Sequence, residues 1–108
     1  MDLDALTQRA VQIHRQYQSL NEDRFGRGWT RDEIALGFMG DVGDLMKLVI
    51  AQNGVRDIPD SDAKLAHELA DYLWSVLVLS QLYHVDLESA FTKTMNEIET
   101  SLASQKRT

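Results

Sequence analysis

Two pairs of acidic residues at helical spacing are the features of this sequence best suited to chemistry. Asp41 and Asp44 form the first pair, and Glu68 and Asp71 form the second. Residues three apart lie on the same face of a helix, so each pair would place two carboxylates side by side. Both pairs fall in strongly apolar helical segments, where an unpaired buried carboxylate is costly or takes up a proton. Hard divalent cations are the natural partners of clustered carboxylates, so the four acids predict a site for Mg²⁺ or Mn²⁺.

The alternative interpretation is that these acids pair with lysine or arginine, or lie at helix edges in solvent. A single acidic pair would carry no weight, because such pairs are common on helices. Two pairs in apolar surroundings favour the metal site, provided that the two helices pack antiparallel and bring the pairs together.

The segment Arg24–Arg31 is the only basic cluster in a chain of formal charge −6. Arginine forks match phosphate oxygens, and an indole can stack on a nucleobase. Arg27 and Trp29 are therefore candidates for substrate binding. In the alternative interpretation, Trp29 closes one end of the helical bundle while the arginines balance nearby acids.

Two further groups of residues are ambiguous. Lys93 and Asn96 lie three apart and could reach phosphate or sugar groups, although residues on a solvated helix face look the same. Three glycines at intervals of three in the second helix would leave room either for a ligand or for a closely packed neighbouring helix. These glycines are Gly37, Gly40 and Gly43.

Apolar residues at helical spacing predict four helices and almost no strand. The first helix is expected over 3–20, followed by a loop over 21–29. The second begins after a capping box formed by Thr30 and Glu33 and ends near Asn53 and Gly54. The third is predicted from an N-cap near Ser61 to about residue 83, after a loop over 55–60. The fourth is predicted from a cap at residue 86 to about residue 102, with the last residues, 104–108, frayed.

Short loops between long amphipathic helices predict an all-α fold, an antiparallel four-helix bundle. The third helix is apolar on nearly every side from Leu69 to Leu79, and one small subunit can scarcely bury such a helix. We therefore expect a homo-oligomer with this helix near an interface. Tyr72, Trp74 and Val78 could instead be covered within the subunit.

Composition limits the function classes. The chain has 108 residues, which suits a single domain over 1–108, and it has no cysteine for a disulfide or a thiolate site. No segment resembles a signal peptide or a membrane span, so a cytoplasmic location without membrane association is the default expectation. The net charge argues against binding of a nucleic-acid polymer, but not against a small nucleotide held through a metal.

The order of the acidic motifs resembles that of the MazG-like nucleotide pyrophosphohydrolases. Their signature is Glu-x-x-Glu, a gap of roughly a dozen to two dozen residues, and Glu-x-x-Asp. Here Asp-Val-Gly-Asp spans 41–44 and His-Glu-Leu-Ala-Asp spans 67–71, with 23 residues between Asp44 and Glu68. The resemblance extends from about Trp29 to Asn96. The first pair departs from the family pattern, and Glu97, Ile98 and Glu99 stand where an arginine is often found.

The resemblance implies a helical homodimer or homotetramer that uses Mg²⁺ to cleave nucleoside triphosphates to monophosphate and pyrophosphate. It implies that the four acids bind the metal and that Lys93 and Asn96 face the substrate. We expect a carboxylate that the metal does not fully engage, Asp41 or Asp44, to act as the catalytic base. Two alternatives remain open at this point. One is a non-catalytic helical module that binds a nucleotide or a protein, and the other is a structural oligomer whose acids bind adventitious cations.

Overall fold

The computed structural model describes residues 2–54 and 58–106, without the side chains of residues 38–43. Across these residues the secondary structure is entirely helical, which confirms the predicted all-α class. The four helices are α1 (Leu3–Phe25), α2 (Arg31–Gln52), α3 (Ser61–Leu82) and α4 (Leu87–Lys106). None of them combines the length and the apolar character that crossing a bilayer requires.

Polar caps fix where α2 and α4 begin. The capping box at α2 is confirmed, since Thr30 Oγ1 accepts a bond from Glu33 N and the Glu33 side chain accepts one from Thr30 N. The predicted cap of α4 also forms, because Asp86 Oδ1 accepts a bond from Ser89 N at 3.2 Å. These bonds satisfy backbone donors that have no partner within the helix.

Two predicted helix ends were wrong, and one predicted cap was displaced by a residue. Helix α1 continues past residue 20 to Phe25, because no helix breaker occurs before Gly26, whose φ of 80° ends the helix. Helix α3 begins at Ser61 as predicted, but the N-cap position is Asp60, whose side chain makes no capping bond, and the Ser61 hydroxyl lies 3.2 Å from Gln52 Nε2. Helix α4 continues to Lys106, so 104–106 are helical rather than frayed. The predicted loop over 55–60 falls partly outside the described residues.

Helix α3 lies at the centre of the packing, with its most extensive contacts to α2 and further contacts to α1. Ala10, Leu77 and Val78 form the buried cluster, and Trp74 packs against it. The Trp74 indole N–H donates to the Ala10 carbonyl at 3.0 Å, which ties α3 to α1. Val78 is therefore covered within the subunit, while Leu69 and Leu73 remain exposed.

Helix α4 contributes little to this core. All of its residues are described and none is buried, although Leu87 at its start touches the core cluster. The Cα radius of gyration is 17.6 Å, well above the ~13 Å typical of a compact chain of about 100 residues. One side of α4 carries an exposed apolar stripe at helical spacing: Phe91 60%, Met95 41%, Ile98 48% and Leu102 54%.

Candidate functional site

The acids of α3 lie beside His67, which was not among the predicted site residues. His67, Glu68 and Asp71 each offer a ligand atom, and these three atoms lie within 4.8 Å of one another. His67 Nε2 is 3.2 Å from Asp71 Oδ2, one helical turn away. Glu68 and Asp71 are both half-buried, and Glu68 Oε2 is shielded from solvent. The signal for this group was the spacing 67–68–71, which puts all three on one side of a helix.

The donor chemistry of this cluster fits a divalent cation. Carboxylate oxygens are the ligands that Mg²⁺ prefers, and an imidazole nitrogen adds compatibility with Mn²⁺ and other transition metals. Partial burial of Glu68 and Asp71 also fits, because a cation would offset the cost of shielding two carboxylates partly from water. The cluster is thus a candidate metal site, and α3 supplies all three of its residues.

Asp44, on α2, is in a more exposed environment than the acids of α3. Asp44 is exposed, with 62% of its side chain accessible, and its Oδ1 lies 3.9 Å from Lys47 Nζ. Among the described residues, Asp44 is not a member of the cluster on α3. The side chain of Asp41 lies outside the described part of the structure, and so do the surroundings of Gly40 and Gly43. The expected meeting of both acidic pairs at one cation therefore stays a prediction, and Asp44 does not face the core of the subunit.

An aromatic cavity of about 410 Å³ adjoins the acidic cluster. Helix α1 supplies one wall and α3 supplies another, and the loop after α1 and the first turns of α2 complete it. Asp71 lines this cavity and also belongs to the cluster on α3, so the two features share a residue. The principal lining side chains are His14, Tyr17, Asn21, Trp29, Asp71 and Trp74.

Aromatic rings dominate this cavity. The Tyr17 and Trp74 ring centroids are 5.6 Å apart with the planes tilted by 42°. Trp29 lines the cavity from the loop and remains 50% exposed. Its ring edge lies over Gly37, where an added Cβ would be 3.5 Å from the indole. Flat apolar surfaces beside a few polar groups suit an aromatic ligand such as a nucleobase.

The loop carrying Trp29 is held in place by an ion pair. Arg27 Nη1 and Nη2 donate to the two Glu33 carboxylate oxygens at 2.7 and 3.0 Å. The bond from Arg27, followed by the Thr30 N–H, lowers the pKa of Glu33 to about 2. Arg27 thus balances a local acid, as the alternative interpretation expected. Its contact with a substrate phosphate stays a prediction, and such a contact would compete with Glu33.

Comparison with known protein families identifies the family to which this chain belongs. A model of the MazG nucleotide pyrophosphohydrolase domain matches residues 37–101, more than half of the chain. The chain belongs to the MazG nucleotide pyrophosphohydrolase family. Searches of curated proteins and of solved structures gave no match. The predicted resemblance is confirmed, and at the level of the family it indicates nucleotide pyrophosphohydrolysis dependent on a divalent metal.

The MazG match contains all four predicted acids together with Lys93 and Asn96, but it begins after Arg27 and Trp29. Lys93 and Asn96 lie on exposed α4, in a surface depression lined only by residues 86–100. Neither residue lines the aromatic cavity. A role for them toward the substrate of the MazG site stays a prediction, and within one subunit they form a separate surface.

The cavity beside the MazG acids also contains residues that the sequence analysis did not assign to a site. His14, Tyr17, Gln18 and Asn21 lie on one face of α1 and line the cavity. Burial, with a smaller contribution from the Arg15 charge, lowers the pKa of His14 and favours its neutral form. The available signal was the spacing 14–17–18–21, which marks one helix face if α1 is extended past residue 20.

Proposed function

We propose that this chain is a divalent-metal-dependent hydrolase that cuts nucleoside triphosphates to the monophosphate and pyrophosphate. Membership of the MazG family supports the reaction class. The observation that carries the proposal is the double position of Asp71, in the acidic cluster and in the aromatic cavity. A nucleotide needs both environments side by side, because its triphosphate requires charge neutralisation and its base requires a flat apolar surface.

Glu68 and Asp71 would hold the cation together with Asp41 and Asp44 from α2. When bound, Mg²⁺ or Mn²⁺ supplies charge neutralisation for the triphosphate. The carboxylates keep the phosphates from approaching α3 unless a cation is present, since like charges repel at short range. His67 lies close enough to take part, through its 3.2 Å contact with Asp71.

The protein's part in the reaction is positioning and proton removal. A carboxylate not occupied by the cation would orient a water molecule and accept its proton, and Asp41 and Asp44 are the candidates for this base. The water oxygen attacks the α-phosphorus, the bond from that phosphorus to the bridging oxygen breaks, and pyrophosphate leaves. Trp29 would stack on the base, and Arg27, Lys93 and Asn96 would contact phosphate or sugar groups.

The functional form in this proposal is a homo-oligomer, a dimer or tetramer, in which α4 completes a four-helix arrangement. The apolar stripe on α4 supports this view, because its four side chains remain about half exposed in the subunit. Exposed Leu69 and Leu73 on α3 add to the apolar surface that a second copy would cover. Such packing would also provide a route for Lys93 and Asn96 toward a site that includes a neighbouring subunit.

The proposed activity is tested by assaying a panel of canonical and modified nucleoside triphosphates with Mg²⁺ or Mn²⁺. Phosphate and pyrophosphate are measured separately. We expect pyrophosphate release from at least one nucleotide, abolished in Glu68→Gln and in Asp71→Asn. Asp62→Asn is the matched control, because Asp62 lies on the same helix nine residues before Asp71, ~13 Å along its axis.

Three results would contradict the proposal. Absence of pyrophosphate release across the whole panel would refute the catalytic role. Thermal stabilisation by a nucleotide without turnover would favour the non-catalytic binding module instead. Equal loss of activity in Asp62→Asn would show that removing any acid from α3 has the same effect.

A further inference from the structure

Gln18 makes an unusual pair of bonds to the loop that carries Trp29. Its side-chain Nε2 donates to the Trp29 carbonyl at 2.8 Å, and its Oε1 accepts from the Trp29 N–H at 2.7 Å. The carboxamide thus satisfies both backbone groups of one residue, as a neighbouring strand would. Gln18 reaches across eleven positions of sequence, from the middle of α1 to the residue before the α2 cap.

The backbone of the loop is shaped to admit this carboxamide. A Cβ added at Gly28 would lie 2.6 Å from Gln18 Oε1 and 2.9 Å from its Cδ, so the carboxamide would have to move away from its bonded position. Gly28 does not have a left-handed φ, so an alanine there would conflict with the bonded Gln18 carboxamide rather than with the backbone conformation. The two positions are therefore matched, and each should lose its effect when the other is changed.

These bonds bear on the position of the Trp29 indole. The ring is half exposed and has Gly37 beneath one edge, so side-chain packing alone covers only part of it. Its backbone, by contrast, is bonded on both sides to a helix that also forms a wall of the cavity. A side chain held in its binding position before the ligand arrives avoids the entropic cost of ordering on binding.

We propose that Gln18 is a positioning residue that fixes the Trp29 indole at the aromatic cavity so that it is ready to stack on a nucleobase. The inference rests on the proposed function for the identity of the ligand. The ordering of Trp29 by Gln18 does not depend on it and can be measured without ligand. Gln18 itself does not contact the reacting phosphates in this scheme.

Fluorine NMR on fluorotryptophan-labelled protein tests the ordering directly, because the chain has two tryptophans. Gln18→Met removes both bonds at similar side-chain length and helix propensity. We expect the Trp29 resonance to move and change in width in this variant, while the Trp74 resonance stays in place. Gln16→Met is the control on the exposed side of the same helix and should change neither signal. An unchanged Trp29 resonance in Gln18→Met would overturn the proposal.

The match between Gln18 and Gly28 gives a second measurement. We expect Gly28→Ala to disturb the Trp29 resonance as Gln18→Met does, because the added methyl displaces the carboxamide. In a Gln18→Ala background the carboxamide is absent, so Gly28→Ala should then add little further change. Independent, additive effects of the two substitutions would contradict the direct contact.

Ligand binding is measured with the α,β-imido analogues of the four common deoxynucleoside triphosphates and Mg²⁺, titrated in the same spectra. We expect Gln18→Met to weaken binding of the best analogue about tenfold, with KM of the cleaved nucleotide raised to a similar degree and kcat unchanged. Unaltered affinity in Gln18→Met would overturn the positioning role. If no analogue shifts Trp29 in the unaltered protein, the proposed function and the substrate role of Gln18 fall together, although the ligand-free spectra would still report the ordering.

Discussion

The two tryptophans provide a matched pair of substitutions whose expected losses of stability differ several-fold. Trp74→Phe removes the indole bond to the Ala10 carbonyl, which costs about 0.5–1.5 kcal/mol. It also shrinks a half-buried ring that packs on the core cluster, and the lost burial adds roughly 1 kcal/mol. We therefore expect the free energy of unfolding to fall by about 2 kcal/mol.

Trp29→Phe should lower the free energy of unfolding by less than about 0.5 kcal/mol. The Trp29 side chain is half exposed, and the hydrogen bonds of this residue are made by its backbone, which phenylalanine leaves intact. Urea unfolding followed by far-ultraviolet circular dichroism measures both variants without relying on tryptophan emission. A single fixed protein concentration is needed, since association would alter the apparent stability. Equal losses in the two variants would refute the view that Trp74 joins α3 to α1 while Trp29 serves the cavity.

Three further predictions concern pH and association. Glu33 has its pKa lowered to about 2, so its stabilisation is complete above its ordinary 4.5 and is lost as pH falls toward 2; Glu33→Gln should flatten the melting profile over that interval. Burial lowers the pKa of His14, so stability is complete above 6.5 and falls as the pH drops through the lowered value; His14→Gln should remove that decline. Ile98→Asp places a charge in the apolar stripe of α4 and should weaken association at least about tenfold in light scattering, whereas Glu97→Gln on the same helix should leave the mass unchanged. A steeper acid transition in Glu33→Gln, an unchanged profile in His14→Gln, or an unchanged mass in Ile98→Asp would each contradict the corresponding reasoning.

The sequence was most informative where the physics is local. The caps at Thr30 and Asp86 depend on side chains within three residues, and both form as the pattern predicts. The acidic motif around Glu68 and Asp71 is also local to one helix, and it identified the family before any tertiary contact was known. Hydrophobic spacing was sufficient for the all-helical class, because four long amphipathic segments leave little room for another fold.

Contacts between distant segments were not accessible in the same way. The bonds from Gln18 to Trp29 depend on how the loop after α1 folds back onto that helix, and the helix itself was predicted to end five residues too early. The cavity needs three helices and a loop in their final arrangement, and no single segment signals it. The exposure of α4 could not be predicted either. Its apolar stripe shows only that a neighbouring helix should cover it, and the sequence pattern is the same whether that helix belongs to this chain or to a second copy.

In the proposed function, carboxylates from α2 and α3 share one cation. The most direct measurement is Mn²⁺ affinity, by titration calorimetry, for Asp41→Asn, Asp71→Asn and the double variant. We predict that each single substitution weakens binding at least about tenfold and that the double variant loses much less than the sum of the two free energies, as expected for ligands of one ion. Unchanged affinity in Asp41→Asn, with the loss confined to Asp71→Asn, would show that α3 binds the cation without α2 and would contradict the claim.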